Sequence, residues 1–348
     1  MTLHHFKRRS LVVERLENRD VLAGDVLAVI YGQMLVIWGD EQANGVTLTY
    51  DSTTQVYHVV GKEVAGEATT INGQDTSLPE NVPTFNSVKN VAVILHGGDD
   101  QFAVGSPQAV DTVINQWLAI DMGDGNDQVV LGQAGNAAGG ADPVALSLRT
   151  GTSVTVDLGA GDDELNIANA DIGLALNIYA GDGSDDVTFA TEFTPADPAQ
   201  QSLFPVRVRG NCNIVLGGGE DELAMHNATI RGHLIIADWA GPAHLDLFNL
   251  SIGKKLDIDT AGDNDEIAIQ FVSAKQFTLD SNSGIDDVDI TDCRFRTVTI
   301  KLGDAHDDLL LRRVRVSLFT HLDGGSGGSS LVRGPGNKLT GLTKRHIG

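Results

Sequence analysis

Between Val154 and Asp186 the chain alternates apolar and polar residues in short runs, and one arrangement occurs twice. Each copy is an alternating run, a Gly-rich acidic turn ending in Asp-x-apolar, and another alternating run. The two turns end in Asp163-Glu164-Leu165 and Asp185-Asp186-Val187. The same turn recurs at Asp100, Asp127, Asp221, Asp265, Asp286 and Asp307, and Ser329 takes the equivalent place at the end. Successive gaps from Asp100 are 27, 36, 22, 36, 44, 21, 21 and 22 residues. The 44 is two periods, because Ala243 lies 22 residues from both Asp221 and Asp265 and keeps the strand residues Leu245 and Leu247. Each 36 is one period plus 14 residues, and the additions lie near 133–150 and 190–206. A fixed period of this size marks an array of stacked repeats.

Within a repeat the pattern predicts three short strands. After the acidic turn, inward positions alternate as Leu165 and Ile167, Leu223 and Met225, Val288 and Ile290. A second run centres on Ile172, Ile230 and Phe295, and a third on Leu176 and Ile178, Leu234 and Ile236, Val298 and Ile300. The runs are short, rich in β-branched residues and broken by Gly, Asn and Asp, so they read as strands. Three strands in about 22 residues make one coil of a parallel β-helix. The expected fold is therefore all-β, a right-handed parallel β-helix over 91–335, with about eleven coils and a length of about 50 Å. A leucine-rich repeat has an overlapping period, but it needs a helical segment per repeat that this pattern lacks.

The ends differ from the body. Residues 25–90 lack the acidic turn and alternate as in Val46 to Tyr50 and Val56 to Val60. They read as a β-rich cap over the open end of the array, where unpaired strand edges would otherwise template aggregation. Val26 to Trp38 reads as two strands across a Tyr31-Gly32-Gln33 turn, too broken for a membrane span. Gly324 to Gly348, Gly/Ser-rich and then basic over 336–348, are expected to finish the final coil and fray. Residues 1–24 are basic and carry five charges between Glu14 and Asp20, unlike the apolar core of an ordinary signal peptide.

Composition sharpens the picture. With 40 glycines and 5% aromatic residues, the core is a thin one filled by Val, Ile and Leu. The net charge of −23 excludes nucleic acid as a partner, which would need phosphate-neutralising Lys and Arg, and opposes attraction to an anionic membrane. It favours divalent cations and basic partners. Cys212 and Cys293 are separated by several coils, too far for a disulfide, and read as buried thiols.

The acidic turn is the repeated polar feature. Stacking would place Asp163 over Asp185 and Asp265 over Asp286 at the strand spacing. Two such charges repel by about 1 kcal/mol in water and about 3.5 kcal/mol at an effective dielectric of 20. The column therefore needs counter-cations, raised pKa values or splayed carboxylates. Oxygen ligands of this kind suit Ca2+, which makes Asp100, Asp127, Asp163, Asp185, Asp221, Asp265, Asp286 and Asp307 candidate metal ligands. Gly and Asp also make tight turns for conformational reasons alone. Asn169, Asn227 and Asn249 occupy one slot as a ladder, which Asp292 interrupts.

Two resemblances follow. Leu16, Glu17, Arg19, Val21 and Leu22 resemble the LEPR-XLL-type segment at the start of exported repeat proteins of planctomycetes, with Asn18 where that family carries Pro. The likeness implies export to the cell surface or beyond. The turns at Gly123 to Val129, Gly159 to Leu165 and Gly217 to Leu223 resemble the RTX calcium repeat G-G-x-G-x-D-x-U-x. That family repeats its acid every nine residues and this chain every 22, so its sandwiched calcium geometry does not carry over.

The function expected from these features is a non-catalytic, secreted or cell-surface structural or interaction protein. Its expected partners are divalent cations and extracellular polysaccharide or surface proteins. The alternative is a polysaccharide-active enzyme or an adhesin module, with the inserts walling a groove near Arg207, Arg209 and Arg231. No Asn-Thr-Asp, Gly-His-Gly or Arg-x-x-Lys signature supports catalysis, and Trp117, Trp239 and Phe248 are too scattered for a sugar platform.

Overall fold

The computed structural model describes residues 24–105, 112–132, 148–189 and 205–348. The export-like segment lies outside them, as do most of the two insertions. Among the described residues there is no α-helix, and the strands gather into one sheet of 21 and one of 14.

Most neighbours in both sheets are parallel, and each strand pairs with its equivalent one repeat away. Val154–Ala160 lies between Leu118–Asp121 and Leu176–Asp182. Glu164–Ile167 lies between Gln128–Leu131 and Asp186–Phe189. The short strand Ala170–Ile172 lies between Leu148–Thr150 and Val206–Val208. The register keeps period-two alternation in step, so Leu165, Val187, Leu223, Leu245 and Ile267 form one inward column with at most 1% exposure. Cys212 is buried in another column between Leu176 and Leu234, and both cysteines are free.

The strand bounds agree with insertions of 14 residues, since 16 residues separate Leu131 from Leu148 where two separate Ile167 from Ala170. Leu148–Thr150 and Val206–Val208, at the ends of the two inserted spans, are ordinary rungs of the 21-stranded sheet. One difference concerns the C-terminus, expected to finish the final coil and then fray. Lys338–Leu339 and Leu342–Arg345 instead pair in parallel with Arg315–Asp323, and Ile347 packs against the core. These strands cover backbone groups that the preceding rung would otherwise present unpaired.

The opposite end is built differently. Asp25–Tyr31 and Met34–Trp38 form an antiparallel hairpin turned at Gly32, and Met34–Trp38 then pairs in parallel with Asn90–Ile94. Gly45–Asp51 and Val56–Val64 form a second hairpin, whose first strand pairs in parallel with Gln101–Val104. Two hairpins are thus grafted onto the first rungs of the two sheets. Tyr57 locks the second, with its ring buried and its hydroxyl donating to the Val113 carbonyl.

Candidate functional site

The acidic turns stack because their glycines permit close approach. Gly159 has φ of +108°, and a Cβ there would sit 1.7 Å from the carbonyl oxygen of Gly123. Gly181 repeats this against Gly159, at 1.8 Å. Turns in such contact put their following aspartates inside the molecule.

Every predicted aspartate is buried, with exposure between 0% and 3%. They form a hydrogen-bonded ladder between successive repeats. The N–H of Asn44 donates to Asp100 Oδ1 (2.6 Å), that of Asp100 to Asp127 (2.7 Å), and that of Asp127 to Asp163 (2.7 Å). Asp163 donates to Asp185 and Asp185 to Asp221, both at 2.9 Å. Beyond a gap, Ala243 donates to Asp265 (2.9 Å), Asp265 to Asp286 and Asp286 to Asp307 (each 3.1 Å). Ser329 ends the column with Oγ 2.8 Å from Asp307 Oδ2. An outer column runs in the reverse sense: Asn126 N–H donates to Asp99 Oδ1 (3.0 Å), Asp162 to Asn126 (3.1 Å) and Ser184 to Asp162 (2.9 Å). Neighbouring turns are therefore clamped from both sides.

The ladder satisfies one oxygen of each carboxyl and, except at Asp307, strands the other. Oδ2 of Asp100, Asp127, Asp163, Asp185, Asp221, Asp265 and Asp286 is buried without a hydrogen-bond partner. Removal from water, with neighbouring carboxylates adding to it, raises these groups above the usual carboxylate range. Asp100 reaches about 8, Asp163 about 7, and Asp127, Asp185 and Asp286 about 6. Raised pKa values are thus part of how the column meets its own repulsion.

Ala243 removes one carboxyl from the ladder, and the Asp221 N–H turns to the Pro242 carbonyl (3.1 Å). A different aspartate occupies the neighbourhood. Asp238 directly follows the strand Leu234–Ala237, whose Ala237 is in register with Val215 and Asp259, and its N–H donates to the Asp259 carbonyl (3.0 Å). It is 5% exposed, with both carboxylate oxygens lacking a partner. Burial first, then Asp221 and Asp265, push it up to about 7. Sequence reading passed over Asp238 because it lies outside the turn motif. The available signal was a charged residue in an inward slot, one turn before the missing acid.

The asparagine slot has a backbone cause. Asn169, Asn227 and Asn249 take φ of 49–54°, a left-handed conformation that Asn tolerates, and Asn249 Nδ2 donates to Asn227 Oδ1 (2.7 Å). Asp292 and Arg313 hold the same conformation further on and form a bidentate ion pair.

Two charged columns lie outside the core. On the 14-stranded sheet, the position after the ladder aspartate reads Glu164, Asp186, Glu222, His244, Glu266, Asp287 and Asp308 in register. On the 21-stranded sheet, one outer column reads Arg149, Asp171, Arg207, Thr229, Ser251, Ser273, Arg294, Arg315 and Lys338 in register. Arg209 beside it grips Asp171 through two bonds of 2.9 and 2.5 Å and lowers that carboxyl's pKa.

The fit of calcium to the ladder can be judged from these positions. Each ladder aspartate except Asp307 strands one oxygen while the other accepts from its neighbour's N–H, and Asp307 uses both. No three His, Cys, Asp or Glu among the described residues are arranged to hold a metal ion. That is a poor match to a calcium cage of six to eight oxygens, and a good one to hydrogen bonding between coils. Comparisons with family models, curated proteins and solved structures returned no match.

Proposed function

We propose that this chain is a non-catalytic structural or interaction protein whose sheets close into a right-handed parallel β-helix, exported to the cell surface or extracellular matrix. The observation that carries this reading is the aspartate ladder. Acids that an enzyme would concentrate at one tier are distributed one per coil and engaged in stacking. Glycoside cleavage instead needs two carboxyls set on opposite sides of one bond. Stacked repeats are stabilised by contacts with their neighbours and present long regular faces, which suits a scaffold. The LEPR-XLL-like residues Leu16 to Leu22 support export.

Divalent cations, calcium included, enter this proposal as counter-ions of the exposed acidic column. Solution scattering in high salt tests the rod, with an elongated particle about 50 Å along its axis expected. A compact sphere would refute it. A thermal melt in calcium, magnesium and chelator tests the cation role. Small and equal shifts for both cations are expected. A large saturable shift for calcium alone would replace diffuse counter-ions with specific sites.

A further inference from the structure

The basic column is at odds with the rest of this acidic molecule. Arg207, Arg294, Arg315 and Lys338 share one register, and all are exposed. Arg231, Lys275 and Arg296 stand beside them, also exposed. Among the described residues none of these seven forms an ion pair. Three open hollows follow one another along the stripe. The first, about 330 Å³, is lined by Arg207, Arg209 and Arg231, and the third, about 570 Å³, by Arg294, Arg315 and Lys338. The middle one, about 430 Å³, shares Lys275 and Arg296 with the third. A stripe of unpaired cations on a chain of net charge −23 calls for an acidic partner with a matching repeat.

The acidic column of the same chain has that repeat. Its seven rungs from Glu164 to Asp308 carry six acids and His244. Both columns advance once per coil, at the strand spacing of about 4.8 Å. They therefore share one pitch by construction. An unrelated polyanion would match it only by coincidence. Crowding along the acidic column is already visible at Asp287, raised by burial and then by Asp308 and Glu266.

We propose that this protein associates side by side with copies of itself, the acidic column of one seated on the basic stripe of the next. The inference rests on the scaffold reading above and names its partner. The columns lie on different sheets, so the contact is heterologous. Each docked copy leaves one column free, and assembly propagates instead of closing into a dimer. Net repulsion does not prevent it, because charges beyond about 8 Å are screened at physiological salt.

The test is a charge exchange followed by sedimentation of the full chain. The parent should exceed twice its monomer mass of 36.8 kDa at about 150 mM NaCl and return to monomer at about 1 M. Two variants, Arg294→Glu with Arg296→Glu, and Glu222→Lys with Glu266→Lys, should each remain monomeric alone. Mixed together they should co-sediment. A control, Glu63→Lys with Glu67→Lys, makes the same charge change as the second variant in the N-terminal hairpin and should associate like the parent. A parent that stays monomeric, or variants that fail to complement, would overturn docking. A monomeric parent that instead binds polygalacturonate in a stripe-dependent way would assign the stripe to an acidic glycan. Scattering at about 1 M NaCl reports the single rod, so failure of docking is distinguishable from failure of the scaffold reading.

Discussion

The acidic ladder and the basic stripe both follow the repeat register, the stripe with uncharged rungs at Thr229, Ser251 and Ser273, yet their charges are handled in opposite ways. The ladder aspartates are buried, accept backbone N–H groups from the adjoining coil, and are pushed toward the neutral acid. The stripe's arginines and lysines stay in water and keep their charge. The same strand register produces both columns. The difference arises from where each residue falls relative to the turn. A residue just after the Gly-rich corner is directed inward against the next coil's backbone, whereas one on the outer face of a short strand meets solvent. Charge repetition is therefore a poor guide to binding until burial is known. The ladder's carboxylates are mainly part of the cohesion of the stack, and the surface columns are what another molecule can reach.

The comparison can be broken most severely at the turn that makes it. Gly159→Ala would drive a Cβ into the Gly123 carbonyl at a positive φ. A loss of about 3 kcal/mol or more is expected by chemical denaturation. A loss below about 1 kcal/mol would mean the turns do not stack this closely. Next comes Asp163→Ala, which strands the Asp127 N–H and should cost about 2 kcal/mol. Asp163→Asn keeps an oxygen acceptor and removes a buried charge. It should stay within about 1 kcal/mol of the parent at pH 5 and exceed the parent's stability at pH 8.5. An Asn variant as damaging as Ala at both pH values would count against the hydrogen-bonding role.

A third prediction uses pH. The ladder groups have folded-state pKa values above the unfolded carboxylate value of 3.8, reaching about 6 at Asp127, about 7 at Asp163 and about 8 at Asp100. A raised folded pKa means that the native state binds protons more tightly than the unfolded chain. The ladder's contribution is then fully present below about pH 4 and is lost as pH rises through about 8. Asp171 and Asp292, lowered by their arginines, act in the opposite sense in acid. Tm should therefore peak in mild acid and fall toward pH 8.5, and calorimetry across that range would show it. A Tm that climbs steadily from pH 5 to 8.5 would contradict the buried ladder. The smallest effect belongs to the surface. Arg209→Ala removes an ion pair whose cation is largely exposed, and should leave Tm nearly unchanged while moving the Asp171 pKa upward by NMR titration.

Much of the architecture was legible in the residues. The gaps of 21 and 22 align Leu165 with Val187 and Ile267 with Val288, and the strands pair in those registers. The silent copy at Ala243 was recoverable from spacing alone, and it occupies the rung between Asp221 and Glu266's strand. The candidate site was legible only in part. All eight aspartates fall in one column, but their role as calcium ligands was argued from composition, and composition carries no information about which oxygen faces a backbone amide. Asp238 escaped notice because it belongs to another column.

What the sequence determined by itself was local and periodic: strand alternation, glycine-bearing corners and the length of one repeat. These follow from the pleat and from which residues tolerate a turn, both set within a few neighbouring positions. Only the tertiary structure decided that the aspartates are inside, that Asp238 approaches the break in their ladder, and that Arg207, Arg294, Arg315 and Lys338 fall into line. Their intervals are whole numbers of repeats, and the residues become one outward column only when the repeats are laid one on another. Burial and alignment are properties of the stack, and no single repeat contains them.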